Sequence, residues 1–175
     1  MGALVIYESM FGNTRHVAEA VAAGLGEHVH VDVVEVSHAA TTIQPDLDLL
    51  VVGGPTHVHG MTTARTRSSA AERAAGQLVS TGIGLREWLE QLEHVAGPIP
   101  AAAFDTRIDG PKVLTGSAAG SFSKHLRRLG FEIVSDPQSF VISTKAPQGD
   151  ALVDGELEEA REWGRALGAR LPVRA

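Results

Sequence analysis

At 175 residues, with 43% hydrophobic side chains and a formal net charge of −6, the chain is long enough for one domain with a sizeable core. Its 15 Lys and Arg stand against 21 Asp and Glu without forming a basic stripe, so it lacks the footprint of a nucleic-acid binder. The absence of cysteine excludes disulfides, thiolate metal sites, a Cys nucleophile and cysteine-held iron–sulfur clusters.

Ala3 to Glu8 is a run of strand formers. It is short, has no basic leader and leads directly into a glycine turn, so a strand is expected rather than a signal peptide. No apolar stretch approaches the roughly 20 residues that span a bilayer, and the expected location is cytoplasmic, away from membranes. The turn Ser9-Met10-Phe11-Gly12-Asn13-Thr14 follows, and then Val17, Ala18, Val21 and Leu25 recur at helical spacing. A glycine- and hydroxyl-bearing turn between a strand and a helix is the arrangement of a phosphate cradle. Unpaired N–H groups and the positive end of the helix dipole favour an anion there. The alternative is a plain turn in which Asn13 or Thr14 only caps the helix.

Residues 29–36 alternate as a second strand, and Leu47 to Gly54 reads as a buried third strand running into glycines. Residues 62–84 are small, polar and glycine-containing, with Arg65, Arg67 and Arg73 among them. This stretch is expected to be an insertion, either a mobile lid or a solvated surface loop. Leu85, Trp88, Leu89 and Leu92 mark a short amphipathic helix, and residues 100–105 a further buried strand. Ala118, Phe122, Leu126 and Leu129 form the stripe of the next helix, with Gly130 as its stop. Two strand pieces, 132–135 and 138–144, are separated by Asp136-Pro137. The last helix is set by Leu157, Ala160, Trp163, Leu167 and Leu171.

Strands alternating with helices predict one α/β domain over residues 1–175, a three-layer, doubly wound, five-stranded parallel sheet. Ligands bind beyond the carboxyl ends of such strands. Three loops fall there: Ser9 to Thr14; Pro55-Thr56-His57-Val58-His59-Gly60; and Asp105 to Pro111, of which Asp105, Thr106 and Arg107 are the candidate contacts. His57-x-His59 has no Asp, Glu or Cys cluster beside it, and no metal site is assigned to it. Gly53-Gly54 stands where a phospho-receiver domain needs an aspartate, and no Gly-Lys-Ser/Thr motif is present.

The first loop, with Ser9, Gly12 and Thr14 in register, and Gly54-Pro55-Thr56 followed by Gly60 resemble the flavodoxin-like family over nearly the whole chain. The resemblance implies strand order 2-1-3-4-5 and FMN as cofactor, with phosphate in Ser9 to Thr14 assisted by Thr56. The ring would lie between the second and third loops. It implies electron transfer with redox partner proteins or a small-molecule acceptor. Ser9-Met10-Phe11-Gly12 is also similar to flavodoxin-type NAD(P)H:quinone reductases, the alternative activity. Flavodoxins usually sandwich the ring between a Trp and a Tyr. Here Tyr7 lies in the first strand and Trp88 and Trp163 lie on helices, leaving His57 and His59 for one face and Thr106 and Arg107 for the other. A module that keeps the fold and has lost FMN is the third reading.

Overall fold

The computed structural model describes residues 2–57, 60–73, 79–111, 116–145 and 150–172, the side chains of residues 70–73 excepted. Its strands are β1 (Ala3–Tyr7), β2 (Val31–Glu35), β3 (Leu49–Pro55), β4 (Pro100–Ile108), β5 (Glu132–Ile133), β6 (Gln138–Ser143) and β7 (Ala151–Leu152). The helices are α1 (Asn13–Leu25), α2 (Ala64–Arg73), α3 (Leu85–Gln91), α4 (Ala118–Arg128) and α5 (Glu156–Gly168). Among the described residues no helix is long and apolar enough to cross a membrane.

The sheet runs β2-β1-β3-β4, as expected, and is parallel through these strands. Beyond β4 it differs from the five expected strands, having seven among the described residues. The fifth position is shared by β5, which pairs with Pro100 and Ala101, and β6, which pairs with Phe104 to Ile108. Asp136-Pro137 lies between these pieces, where a proline cannot donate to the ladder. The short β7 then returns antiparallel onto Ile142 and Ser143.

Each central strand is buried on both faces, and its side chains alternate between two cores. Ile6, Leu50, Val52, Ala101 and Ala103 meet Leu85, Trp88 and Leu89 of α3 and Phe122 and Leu126 of α4. Val5, Leu49, Val51, Ala102 and Phe104 meet Val17, Val21 and Leu25 of α1 and Ala160 and Leu167 of α5. The expected apolar stripes therefore face the sheet, with one exception. Leu157 is exposed, because it lies in the first turn of α5, at the rim of the sheet.

Gly53 shows why β3 carries glycine near its end, before Pro55. A Cβ there would stand 1.9 Å from Phe104 Cζ. Phe104 is fully buried and packs edge-on against Phe140 and Trp163, with ring centroids 5.9 and 6.2 Å away, so it cannot swing aside. Gly53→Ala is expected to lower unfolding free energy by about 1–3 kcal/mol, the usual penalty for overpacking a core. Urea denaturation measures it, and an unchanged midpoint would contradict this packing.

Within residues 62–84, expected as a lid or a surface loop, Ala64–Arg73 is helical. Its sequence lacks the apolar period that reveals a helix from sequence. Its start is instead marked by Thr63 and Thr66, whose hydroxyls each accept the other's backbone N–H, at 3.2 and 2.9 Å. Val79 and Ser80, further along, bond back to the first loop.

Candidate ligand-binding cleft

Gly12 precedes α1 in a left-handed conformation, φ 96° and ψ −22°, which bends the chain from β1 into the helix. Ser9 closes this turn from behind. Its buried Oγ accepts N–H bonds from Gly12 (3.1 Å) and Arg15 (3.2 Å). Its own backbone is fixed by Ser80, which donates its N–H to the Ser9 carbonyl (2.8 Å) and accepts the Ser9 N–H on its hydroxyl (2.9 Å). Val79 N–H donates to the Met10 carbonyl at 3.1 Å. Ser9 and Gly12 thus shape the loop rather than line the cleft in front of it.

That cleft, of about 260 Å³, is lined by Met10, Phe11, Asn13 and Thr14 from the first loop, Pro55, Thr56 and His57 from the second, and Thr106 and Arg107 from the third. Nine of the residues singled out from sequence are brought together there. Ile108, from the same third loop, also lines it, and Ile142 and Asp150 complete the lining and were missed. Their only sequence signal is position: Ile142 pairs with Ile108 at the carboxyl end of the sheet, and Asp150 follows that strand. Asn13 Nδ2 donates to the Asp150 carbonyl at 3.1 Å, which brings this last segment against α1.

Asp105 does not face the cleft. It is fully buried, and its Oδ2 accepts bonds from Ser117 Oγ (2.6 Å), Ala119 N–H (2.9 Å) and Thr56 Oγ1 (3.1 Å). Asp105 therefore caps the N-terminus of α4, and its Oδ1 is buried without a partner. Thr56 Oγ1 also accepts the Ala118 N–H at 2.9 Å, so this hydroxyl, expected at the phosphate, serves α4 instead. In the second loop His57 and Gly60 exchange backbone bonds of 2.9 and 3.0 Å; Gly60 is not in the lining, and Val58 and His59 lie outside the described residues. Arg107 Nη1 donates to the Gly110 carbonyl at 2.7 Å, folding the third loop on itself.

Two features of the cleft suit an anionic, flat ligand. Thr14 and Thr106 hydroxyls face each other at 2.7 Å. One donates to the other, which leaves one O–H of the pair to direct elsewhere. The Asn13 and Thr14 amides lie in the first turn of α1, where a helix has no internal acceptors for them. Around this polar end stand Met10, Phe11, Pro55, Ile108 and Ile142, with Phe11 48% and Ile108 52% exposed at the rim. Trp88 is fully buried in one core and Trp163 packs against the other, so neither belongs to the lining; Phe11 and His57 are its ring-bearing members.

A doubly wound α/β sheet with a cleft over the carboxyl ends of β1, β3 and β4 defines the general class. The sequence model of the flavodoxin family matches residues 5–92, half of the chain, and the chain belongs to that family. No curated protein matches it. Among solved structures it is similar to oxidised flavodoxin 1 from Bacillus cereus, at 17% identity and TM-score 0.66, covering 97% of this chain and 99% of that one. A flavodoxin, WrbA-like protein from Agrobacterium tumefaciens aligns at 17% identity and TM-score 0.56, over 95% and 94% of the two chains. The flavodiiron protein from Giardia intestinalis aligns at 18% identity and TM-score 0.58, over 96% of this chain and 35% of that longer one. At these identities the likeness concerns the fold.

Proposed function

We propose that this chain binds FMN in the cleft and acts as an electron-transfer flavodoxin. The observation that carries the reading is the meeting of the α1 N-terminus and the Thr14–Thr106 hydroxyl pair with an apolar wall in one cleft. Asn13 and Thr14 amides and the spare hydroxyl proton would hold the phosphate, and Met10, Phe11, Pro55, His57, Ile108 and Ile142 would shelter the ring. Bound FMN supplies the redox chemistry. The protein's part is to bind, to exclude water and to set the electrostatic surroundings. A cleft of about 260 Å³, just below the usual range of roughly 300–1,000 Å³, leaves part of such a ligand at the rim. There Phe11 and Ile108 offer apolar contact to a redox partner protein or a small-molecule acceptor.

Titration with FMN while following flavin fluorescence tests this reading. Saturable quenching with one equivalent is expected. Unchanged fluorescence at high protein concentration would reject the cofactor and favour a module that has lost it. The second reading, an NAD(P)H-dependent quinone or flavin reductase, rests on the likeness of Ser9-Met10-Phe11-Gly12 to the reductases of this fold. Steady NAD(P)H consumption with a quinone and FMN would select that reading, and no turnover under flavin saturation would select the carrier.

A further inference from the structure

Glu8, directly after β1, is used by neither the cleft nor the family resemblance. It is 1% exposed, an expensive place for a carboxylate unless its oxygens are bonded. Thr62 Oγ1 donates to its two oxygens, at 2.6 and 2.8 Å, and the Leu85 N–H donates to Oε2 at 2.8 Å. Glu8 therefore holds both ends of the inserted segment: Thr62, two residues beyond Gly60 of the second loop, and Leu85, the first residue of α3. Other groups converge on the same point. Arg67 of α2 donates to Thr62 Oγ1 (3.3 Å) and pairs with Glu87 of α3 (2.9 Å). Arg86 of α3 donates to the carbonyls of Thr62 (3.0 Å) and Met61 (3.3 Å). Glu87 in turn accepts the Gly84 N–H at 3.0 Å.

The bonds from Glu8, Arg67 and Arg86 to Met61 and Thr62 fall where the second loop leaves the cleft. We propose that Glu8 is a positioning residue for the ligand cleft, a buried carboxylate that fixes the exit of the second loop through Thr62 and so holds His57 against the ligand. The consequence for ligand binding rests on the FMN reading above; the consequence for the loop does not.

Ionisation decides whether Thr62 finds a carboxylate acceptor. Burial pushes the Glu8 pKa above its usual 4.5, opposed by the Thr62 and Leu85 hydrogen bonds and the Arg67 charge and assisted by Glu87. On acidification Glu8 therefore takes up its proton above pH 4.5, and FMN affinity is expected to fall over that range. Folding stability has the opposite sign. A folded-state pKa that is raised contributes stability fully present below pH 4.5 and lost as pH rises through the folded value. A side chain with a purely structural role would move both quantities together.

The test compares wild type with Glu8→Gln, nearly isosteric and unable to ionise, and with Thr62→Ser, which keeps the hydroxyl. FMN affinity is measured from pH 4.5 to 8, and amide hydrogen exchange is followed at His57 and Gly60. Glu8→Gln should bind FMN about tenfold more weakly at pH 7, the loss expected for one charge-assisted hydrogen bond, with no acid limb in its profile. Its His57 and Gly60 amides should exchange about tenfold faster, with the core strand amides of Val5 and Val51 unchanged. Thr62→Ser should match wild type. Wild-type affinity, pH profile and exchange in Glu8→Gln would overturn the proposal. If wild type itself binds no FMN, the cofactor reading fails alone and the exchange rates decide this one. If Glu8→Gln does not fold, Thr62→Val removes the same bond from the other side and is read in the same way.

Discussion

Gly12→Asp is expected to weaken FMN binding by roughly a thousandfold while leaving a folded protein. A carboxylate about 4 Å from a phosphate near a protein surface meets a repulsion of about 4 kcal/mol, which is that factor in affinity. The substitution is sterically open, since the nearest atom to a Cβ at Gly12 is His16 Cε1 at 3.9 Å. What remains is conformational: at φ 96° a side chain costs about 1–2 kcal/mol of stability, less than a domain of this size holds. Gly12→Ala separates the two effects, because it carries the strain without the charge. Fluorescence titration of both variants, beside a urea melt of each, gives the comparison. Equal FMN affinity in the two would remove the phosphate from the first loop.

Gly164→Ala is expected to lower unfolding free energy by about 2 kcal/mol, although alanine is the better helix former. Helices α1 and α5 touch backbone to backbone at two glycines. A Cβ on Gly164 would stand 2.1 Å from the Val21 carbonyl oxygen, and one on Gly24 would stand 1.9 Å from that of Arg161. Neither neighbour is a side chain that can rotate away, so the helices must separate and the core between them must open. Overpacking of this kind costs about 3 kcal/mol at the upper end of its usual range, and helix propensity returns about 1. Glu27, whose carboxylate pairs with Arg161 and Arg165 on the same seam, lies at the solvent edge and adds little against such a shift. Gly120 in α4 supplies the contrast, for nothing lies within 4 Å of its Cβ position. Gly120→Ala should leave stability unchanged or raise it by up to about 1 kcal/mol. Urea denaturation of the two variants measures both, and a stable Gly164→Ala would mean that the helices do not meet this closely.

The same glycines show which parts of the architecture could be read from the chain. Gly12 and Gly130 announce themselves locally, since each stands at a helix boundary and adopts positive φ, 96° and 95°. Gly53, Gly24 and Gly164 look like lapses in good strand and helix patterns, and only the atoms packed against them explain their presence. Asp105 and Thr56 present a related case. A carboxylate and a hydroxyl at strand ends over a cleft have the chemistry of ligand contacts, yet both are spent on the N-terminus of α4. Helix α2 escaped because its residues carry no apolar period, and its capping pair Thr63 and Thr66 is a weaker signal than a buried stripe.

Periodicity in this sequence by itself determined the strands β1 to β4, the buried faces of α1 and α4 and the position of the glycine turn before α1, because hydrophobic spacing and glycine turns act over a few residues; the strand order came from the family resemblance. Tertiary structure alone decided which polar groups face the cleft and which cap a neighbouring helix. It alone brought Ile142 and Asp150 into the cleft lining, divided the fifth strand position between β5 and β6, and set one buried carboxylate, Glu8, between Thr62 and Leu85. A hydrogen bond is satisfied by whichever donor lies within about 3 Å, and for groups separated by 54 to 77 residues that distance is set by the packing of the sheet and its helices.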